Sequence, residues 1–293
     1  MTSFMRQLIN RLPITRIKIF FGRLLYRIVH LVCREDTRII VRNAIKYEVD
    51  LSEGIDLSLF LFGRFQKHIW QNKLLSLPPD AVIFDIGANF GAMTLQFAKL
   101  APHGKVYAFE PTFYAYSKLK RNLELNPELA ERIVSIQSFV SSKMFGEHYV
   151  KAYASWKVAG TVEGERHPIH SGIVKTADGI GAVSVDDFCE QNQIARLDFI
   201  KIDTDGYEFE VLSGAKKTIA KFRPAVIFEV GMYVMEEKHI DFSVYLQFFN
   251  LLNYSLFNSN NLKEIKADNY HKHIPLKGTI DILALPNTHY ESN

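Results

Sequence analysis

Residues 83–94 read IFDIGANFGAMT, and this stretch decides the fold. Its apolar run, interrupted only by Asp85, has the length and composition of a buried strand. Gly87 and Gly91 then punctuate a turn, and the residues after them open a helix. A strand that feeds a helix through a glycine turn is the opening unit of an α/β sheet, whose ligand lies beyond the carboxyl ends of the strands. A dinucleotide turn of the form G-x-G-x-x-G does not fit, because Asn89 and Ala92 occupy the second and third glycine positions. A P-loop does not fit either, since no G-K-[ST] follows. What remains is D-x-G-x-x-x-G, with Glu110 closing the next apolar run. Gly87 and Gly91 are expected to let the backbone approach a bulky ligand while the Glu110 carboxylate accepts from the two hydroxyls of a ribose.

Working outward, the runs KVYAFEP, IVSIQSF, LDFIKID and AVIFEV follow AVIFDIG, most of them separated by segments of helical periodicity. Strands alternating with helices imply parallel pairing through crossovers, hence a doubly wound sheet. SLFNSN and TIDILALP add two more strands, the last as an antiparallel edge. Upstream, RIIVRNAIKYEVDLS (38–52) reads as a short hairpin turning at Asn43-Ala44, LFLFGRFQKHIWQNKLL as a helix, and LPPD as its end. The chain therefore divides into an N-terminal helix (1–37), a hairpin and helical extension (38–78) and an α/β domain (79–293). Residues 150–182 are glycine-rich and break the alternation of strand and helix, as a substrate loop would. Their His167 and His170 are metal-ligand candidates without a neighbouring carboxylate, the alternative being plain loop surface.

The chain has 293 residues, 47% of them hydrophobic, enough for a substantial core. Its two cysteines, Cys33 and Cys189, are far apart and outside any C-x-x-C spacing, which suggests neither a disulfide framework nor a thiolate zinc site and fits a reducing, cytoplasmic setting. The net charge of +3 is unevenly placed: residues 1–34 hold seven Lys or Arg and no acid, so the remainder is net acidic. That distribution argues against a nucleic-acid-binding body. Between Ile14 and Val32 apolar residues recur at helical spacing, with Arg16, Arg23, Arg27 and Arg34 on the opposite face. The charges leave no run of about 20 apolar residues for a spanning helix. The helix over 14–32 is expected either to dock on the protein's own core or a second subunit, or to bind peripherally to an anionic membrane surface, the inner face in a cytoplasmic setting.

DIGANFG, FEP, DFIKIDTDGYEFEVLSGA and IFEV, in this order, together with VDLSEG, resemble the FkbM-type methyltransferases over roughly residues 45–285. The resemblance implies a class I methyltransferase (Rossmann-like) fold and S-adenosylmethionine as cofactor. It further implies that Asp85, Gly87, Asn89 and Gly91 form the cofactor loop against the methionine part, that Glu110 binds the ribose, and that Phe139 and Val140 border the adenine. It implies O-methylation of a hydroxyl on a small molecule such as a polyketide-like natural product, a glycan or a lipid-linked sugar. The family usually has glutamate where Asp205 stands, and glutamate is common where this chain has Gln66, so Gln66 is left out of the expected site.

Methyl transfer to an alcohol needs the acceptor oxygen held in line with the methyl group and its proton taken away, by a general base or with the help of a metal. In FIKIDTDGYE, Phe199, Lys201 and Asp203 share one strand face by alternation, and Asp203 ends the strand at the mouth of the crevice. Glu229 ends the next strand. These carboxylates, with Asp205, are candidates to share a divalent cation, Mg²⁺ or Mn²⁺, or to act directly as bases. The same residues have plainer readings: Asp205 as a helix cap, Glu208 as a partner of the helix dipole, and Lys201 as an ion-pair partner of Asp203 rather than a base with a lowered pKa. A nucleobase N-methyltransferase would carry an Asn/Asp-Pro-Pro-aromatic stretch after the fourth strand, and IDTDG has no proline. The reading of a different class is a non-catalytic cofactor-binding or membrane-recruited scaffold.

Overall fold

The computed structural model describes residues 16–63, 65–142, 152–154, 157–159, 173–175, 177, 179–276 and 278–287. The substrate-loop candidates His167 and His170 lie outside the described residues. So does most of 150–182; its described parts include two short strands, Ala152–Ala154 and Ile173–Lys175, paired antiparallel.

The centre of the molecule is one eight-stranded sheet. Its parallel part consists of β3 (Val82–Ile86), β4 (Lys105–Phe109), β5 (Ile133–Ile136), β10 (Phe199–Ile202) and β11 (Ala225–Val230). The margin beyond β11 is antiparallel and consists of β14 (Ile280–Pro286), β12 (Tyr254–Asn258) and β13 (Glu264–Ile265), giving the order β13-β12-β14-β11-β10-β3-β4-β5. β14 is thus one place in from the strand that follows it outward, wedged between β11 and β12. The strand order reverses between β3 and β10, the position where a doubly wound sheet opens a crevice at its carboxyl end.

The sheet has two unlike faces. Phe84, Ile86, Ile200, Ile202, Val226 and Phe228 belong to one apolar cluster, covered by α11 (Ser243–Leu251) and its neighbours. Ile83, Val106, Ala108, Phe199, Ile227 and Leu283 point to the other face, covered by α4 (Ala92–Leu100) and by the N-terminal extension. By strict alternation, Asp85, Glu110, Lys201, Asp203, Glu229 and Asp281 belong to this second face, each towards the carboxyl end of the parallel strands. One half of this face is therefore apolar and the other half charged.

The extension is joined firmly to the domain. β1 (Thr37–Arg42) and β2 (Ile45–Asp50) form the expected hairpin, and its two-residue turn places Asn43 and Ala44 at φ 52° and 58°. Positive φ at both central residues is the turn geometry that matches the twist of a hairpin. Asn122 and Asn126, at the end of α5 (Phe113–Glu124), accept from the backbone N–H groups of Glu48 and Lys46. Lys118 of α5 reaches both Glu53 at 2.9 Å and Asp56 at 2.6 Å, all three largely buried, while Tyr114 also donates to Glu53. The Glu of VDLSEG thus anchors the extension to the helix that follows Glu110.

The helix expected over LFLFGRFQKHIWQNKLL is broken in two. α2 (Gly54–Phe62) ends at Gly63, whose φ of 66° lets its N–H close back on Leu59 O, and a single turn, α3 (Lys67–Trp70), follows Gln66 at φ 40°. Gly63 explains the break, because a left-handed residue ends a helix and glycine takes that conformation without a Cβ penalty. Its consequence is that Gln66 and His68 turn towards the sheet.

Candidate active site

The loop after β3 is built by backbone constraint. The N–H groups of Gly87 and Ala88 both donate to Phe109 O at 2.9 Å, tying the loop to the end of β4. Gly87 has φ 76°, and a Cβ there would stand 1.8 Å from Asp203 O. Gly91 has φ 86°, and a Cβ would meet Leu119 Cδ1 at 2.6 Å. Each glycine makes room for the protein itself, Gly87 for the end of β10 and Gly91 for α5. Asn89 takes φ 50° and caps its own turn, its Oδ1 accepting from Phe90 N at 2.8 Å.

Glu110 is fixed on three sides. Its Oε2 accepts from Asn89 N at 2.9 Å, and its Oε1 accepts from Thr112 N at 3.0 Å and Thr112 Oγ1 at 2.6 Å. Burial raises its pKa, and these donors pull the other way. The side chain is held before any ligand arrives. Beyond it, Glu110 N donates to Ile136 O, and the chain continues into a short strand (Phe139–Val140) paired with Ala182–Val183. Phe139 is half-buried and Val140 buried, so the two residues expected beside an adenine follow directly from the strand next to Glu110.

Asp85 and Lys201 are register partners on β3 and β10. Lys201 Nζ lies 3.2 Å from Asp85 Oδ1, donates to Gly87 O at 2.9 Å and lies 3.5 Å from Asp203 Oδ2. Thr94 donates to the other Asp85 oxygen at 2.6 Å. Burial alone would lower the Lys201 pKa, but Asp85 and Asp203 outweigh it and hold the ammonium above its ordinary value. Lys201 is thus placed as an ion-pair partner of Asp85 and Asp203. It ties the loop after β3 to the end of β10.

Around Asp203 the charge is almost all negative. The Glu229 carboxylate accepts from Thr279 Oγ1 at 2.6 Å and is the register partner of Asp281 on β14. Burial, then Asp203 and Asp281, push its pKa well above the ordinary carboxylate value. Asp205, at φ 52°, keeps solvent access yet is enclosed by the surrounding protein, and this enclosure together with Asp203, Glu208 and Glu110 raises its pKa well above the ordinary value. Asp205 does not cap the helix that starts at Glu208, whose N-cap position is Tyr207 without a side-chain cap. Glu208 Oε1 accepts from Thr204 N at 2.9 Å, Thr204 Oγ1 at 3.2 Å and Gly206 N at 3.2 Å, closing the IDTDG loop. Burial pushes Glu208 up to about 7 against those hydrogen bonds.

Two groups outside the expected site enter from the extension. Gln66 Nε2 lies 3.4 Å from Asp203 Oδ2, and His68 Nε2 lies 2.5 Å from Asp281 Oδ2. Gln66 is left out of the expected site because glutamate is common at its position in the family, yet it reaches Asp203; His68 and Asp281, the latter in a terminal strand, carry no local signal.

Among the described residues no group of three or more His, Cys, Asp or Glu is arranged to hold a metal ion. Asp203, Asp205 and Glu229 share an electrostatic neighbourhood without forming a ligand set, so they do not fit the shared cation expected of them.

Residues 85–256, more than half of the chain, match the family described as Methyltransferase FkbM domain. The 2-O-methyltransferase NoeI of Sinorhizobium fredii is 27% identical over 149 residues, 50% of this chain and 61% of that protein. Methyltransferase sdnD of Sordaria araneosa is 30% identical over 164 residues, 48% of this chain and 62% of that protein. The chain thus spans about three fifths of the length of these curated relatives. The crystal structure of methyltransferase FkbM from Methylobacillus flagellatus KT aligns with a TM-score of 0.46 at 16% identity, over 72% of this chain and 45% of that one.

Proposed function

The chain belongs to the FkbM methyltransferase family, and from this premise we propose that it transfers the methyl group of S-adenosylmethionine to a hydroxyl of a sugar, glycan or polyketide-like natural product. The observation that carries this reading is the charged half of one sheet face: Glu110 on one side of the switch point, and Asp203, Asp205, Glu229 and Asp281 on the other, with Lys201 between them. When bound, the cofactor supplies an activated methyl on a cationic sulfonium. Glu110, already oriented by Asn89 and Thr112, is suited to accept from two ribose hydroxyls. Gly87, Asn89 and Gly91 shape the loop against the methionine portion, and Phe139 and Val140 offer apolar surface for the base.

On the acceptor side, an alcohol becomes a nucleophile only as its proton leaves. Burial, with Asp203 and Asp281 beside it, raises the Glu229 pKa, and a carboxylate whose pKa is raised is a stronger proton acceptor than an ordinary one. Asp203, pinned between Lys201 and Gln66, orients the acceptor hydroxyl, and Glu229 takes the proton. The name of NoeI, a 2-O-methyltransferase, supports oxygen as the acceptor atom. Asp203→Asn and Glu229→Gln retain shape and remove charge. Each is expected to lower turnover by roughly 10²–10⁴-fold on whichever hydroxylated acceptor the parent methylates from a panel of glycans and metabolites, with cofactor affinity nearly unchanged. Near-parental turnover in both variants would remove the carboxylates from the mechanism. Adenosylmethionine binding with no turnover on any acceptor would favour a non-catalytic scaffold.

A further inference from the structure

The N-terminal helix α1 (Arg16–Val32) docks on the protein with a face other than its most apolar one. Tyr26, Val29 and Cys33 pack against the core cluster of the extension. Tyr26 Oη donates to Asp36 at 2.9 Å, and Arg38 reaches Cys33 Sγ, so this end of the helix is seated on the body. Phe20, Leu24, Ile28 and Leu31, spaced i, i+4, i+8 and i+11, form a separate stripe that is 63%, 44%, 54% and 82% exposed. Spacing of this kind puts them in line along one side of the helix. At one residue before or after members of this stripe, Arg23 and Arg27 stand exposed on its flank. Ile39 and Val41 of β1 add exposed apolar surface on the same extension.

We propose that this stripe lies in the surface of an anionic lipid bilayer, with the arginines at the level of the phosphates. The occupant is chosen by charge. Residues 1–34 carry seven Lys or Arg and no acid. A two-fold contact between copies through the same stripe would set arginine flank beside arginine flank with no acid of the segment to neutralise them, whereas a sheet of lipid phosphates neutralises all of them. The long arginine side chains place their charge at the interface while their stems cover apolar surface. Among the described residues no helix is long and apolar enough to cross a membrane, so the helix lies on the bilayer. Tyr26, Val29 and Cys33 hold the body against the opposite side of α1, which leaves the stripe free to enter the lipid.

The test is co-sedimentation of the full chain with vesicles of phosphatidylcholine alone or with one-third phosphatidylglycerol. Binding to the mixed vesicles, weakening from 0.05 to 0.5 M NaCl as the charges are screened, is the expected result. Arg23→Gln and Arg27→Gln should each lower the partition coefficient about five-fold, and Leu24→Glu with Ile28→Glu should abolish binding while circular dichroism and melting temperature remain those of the parent. Absence of binding to the anionic vesicles at low salt, or binding unchanged in the double glutamate variant, would overturn the proposal. So would a dimer in light scattering that the same double variant dissolves, since the stripe would then belong to a second copy. None of these readouts depends on methyl transfer.

Discussion

The two faces of the central sheet are formed by the same strands, and they are used differently. On one face Phe84, Ile86, Ile200, Ile202, Val226 and Phe228 are at most 1% exposed and all apolar, and Phe228 stacks on both Tyr245 and Phe249 of α11. On the other, Ile83, Phe199, Ile227 and Leu283 give way, towards the carboxyl end of the parallel strands, to Asp85, Lys201, Asp203, Glu229 and Asp281. The first face stabilises the fold by burial. The second gives up part of that stabilisation to keep several carboxylates together around one ammonium, and burial, with Asp203 and Asp281 beside it, raises the Glu229 pKa. The cofactor loop sits at the boundary, held by hydrogen bonds of the protein's own backbone and by Lys201.

This contrast can be broken at both ends. Phe228→Ala on the apolar face should destabilise the fold by about 3–5 kcal/mol, read as a drop in denaturation midpoint; a loss below 1 kcal/mol would mean that this face is not the core it resembles. The boundary is next. Gly87→Ala drives a Cβ into the backbone carbonyl of Asp203, which cannot yield, so a loss of about 3 kcal/mol and of cofactor binding is expected. Gly91→Ala meets only the flexible end of Leu119 and should lose about 1–2 kcal/mol, with weaker binding retained. Equal losses at the two glycines would show that positive φ, shared by both, outweighs what the Cβ meets.

The charged half should respond in the opposite direction. A carboxyl group whose folded pKa is raised stabilises the fold fully below its unfolded pKa of about 4.3 and loses that contribution as pH rises through the folded value. Glu229→Gln is therefore expected to match the parent at pH 4 and to exceed its stability at pH 8 by about 0.5–2 kcal/mol, even as turnover falls. A variant less stable than the parent at pH 8 would mean that Glu229 is a paired structural charge.

Much of this was legible in the chain. Runs such as IFDIG, FIKID and IFEV announce strands because an unbroken apolar stretch ended by an acid has one good position in a doubly wound sheet, and the Asn43-Ala44 hairpin followed from its flanking alternation. The loop after β3 was legible as a turn but its contact with the end of β10 was not, because what stands beside a glycine is a tertiary fact: Asp203 is over a hundred residues from Gly87. That Glu208 closes the IDTDG loop through Thr204 and Gly206, while Asp205 leaves the helix start uncapped, was not legible for a similar reason, since both are acids beside the same helix start and the backbone conformation at Asp205 separates them. Gln66 stands outside the expected site because it lacks the glutamate common there in the family, and His68 and Asp281 were missed because each enters the site through a long-range contact; the break at Gly63 that turns Gln66 and His68 inward is one residue in an apolar run. The helix over 14–32 is amphipathic as expected, but Arg23 and Arg27 flank its apolar stripe rather than oppose it, and its docking face is formed by Tyr26, Val29 and Cys33, on the side away from the stripe.

The central claim, that the charged half of the sheet face is matched to a cationic methyl donor, is tested most directly by calorimetric titration of S-adenosylmethionine and S-adenosylhomocysteine at pH 7 in two buffers of different ionisation enthalpy. The two ligands share every group but the methyl and its positive charge. A sulfonium brought beside carboxyl groups with raised pKa values lowers those values and expels protons. The account predicts proton release with adenosylmethionine, less with adenosylhomocysteine, and a smaller difference between them in Glu229→Gln. Identical proton release for the two ligands in the parent protein would contradict it.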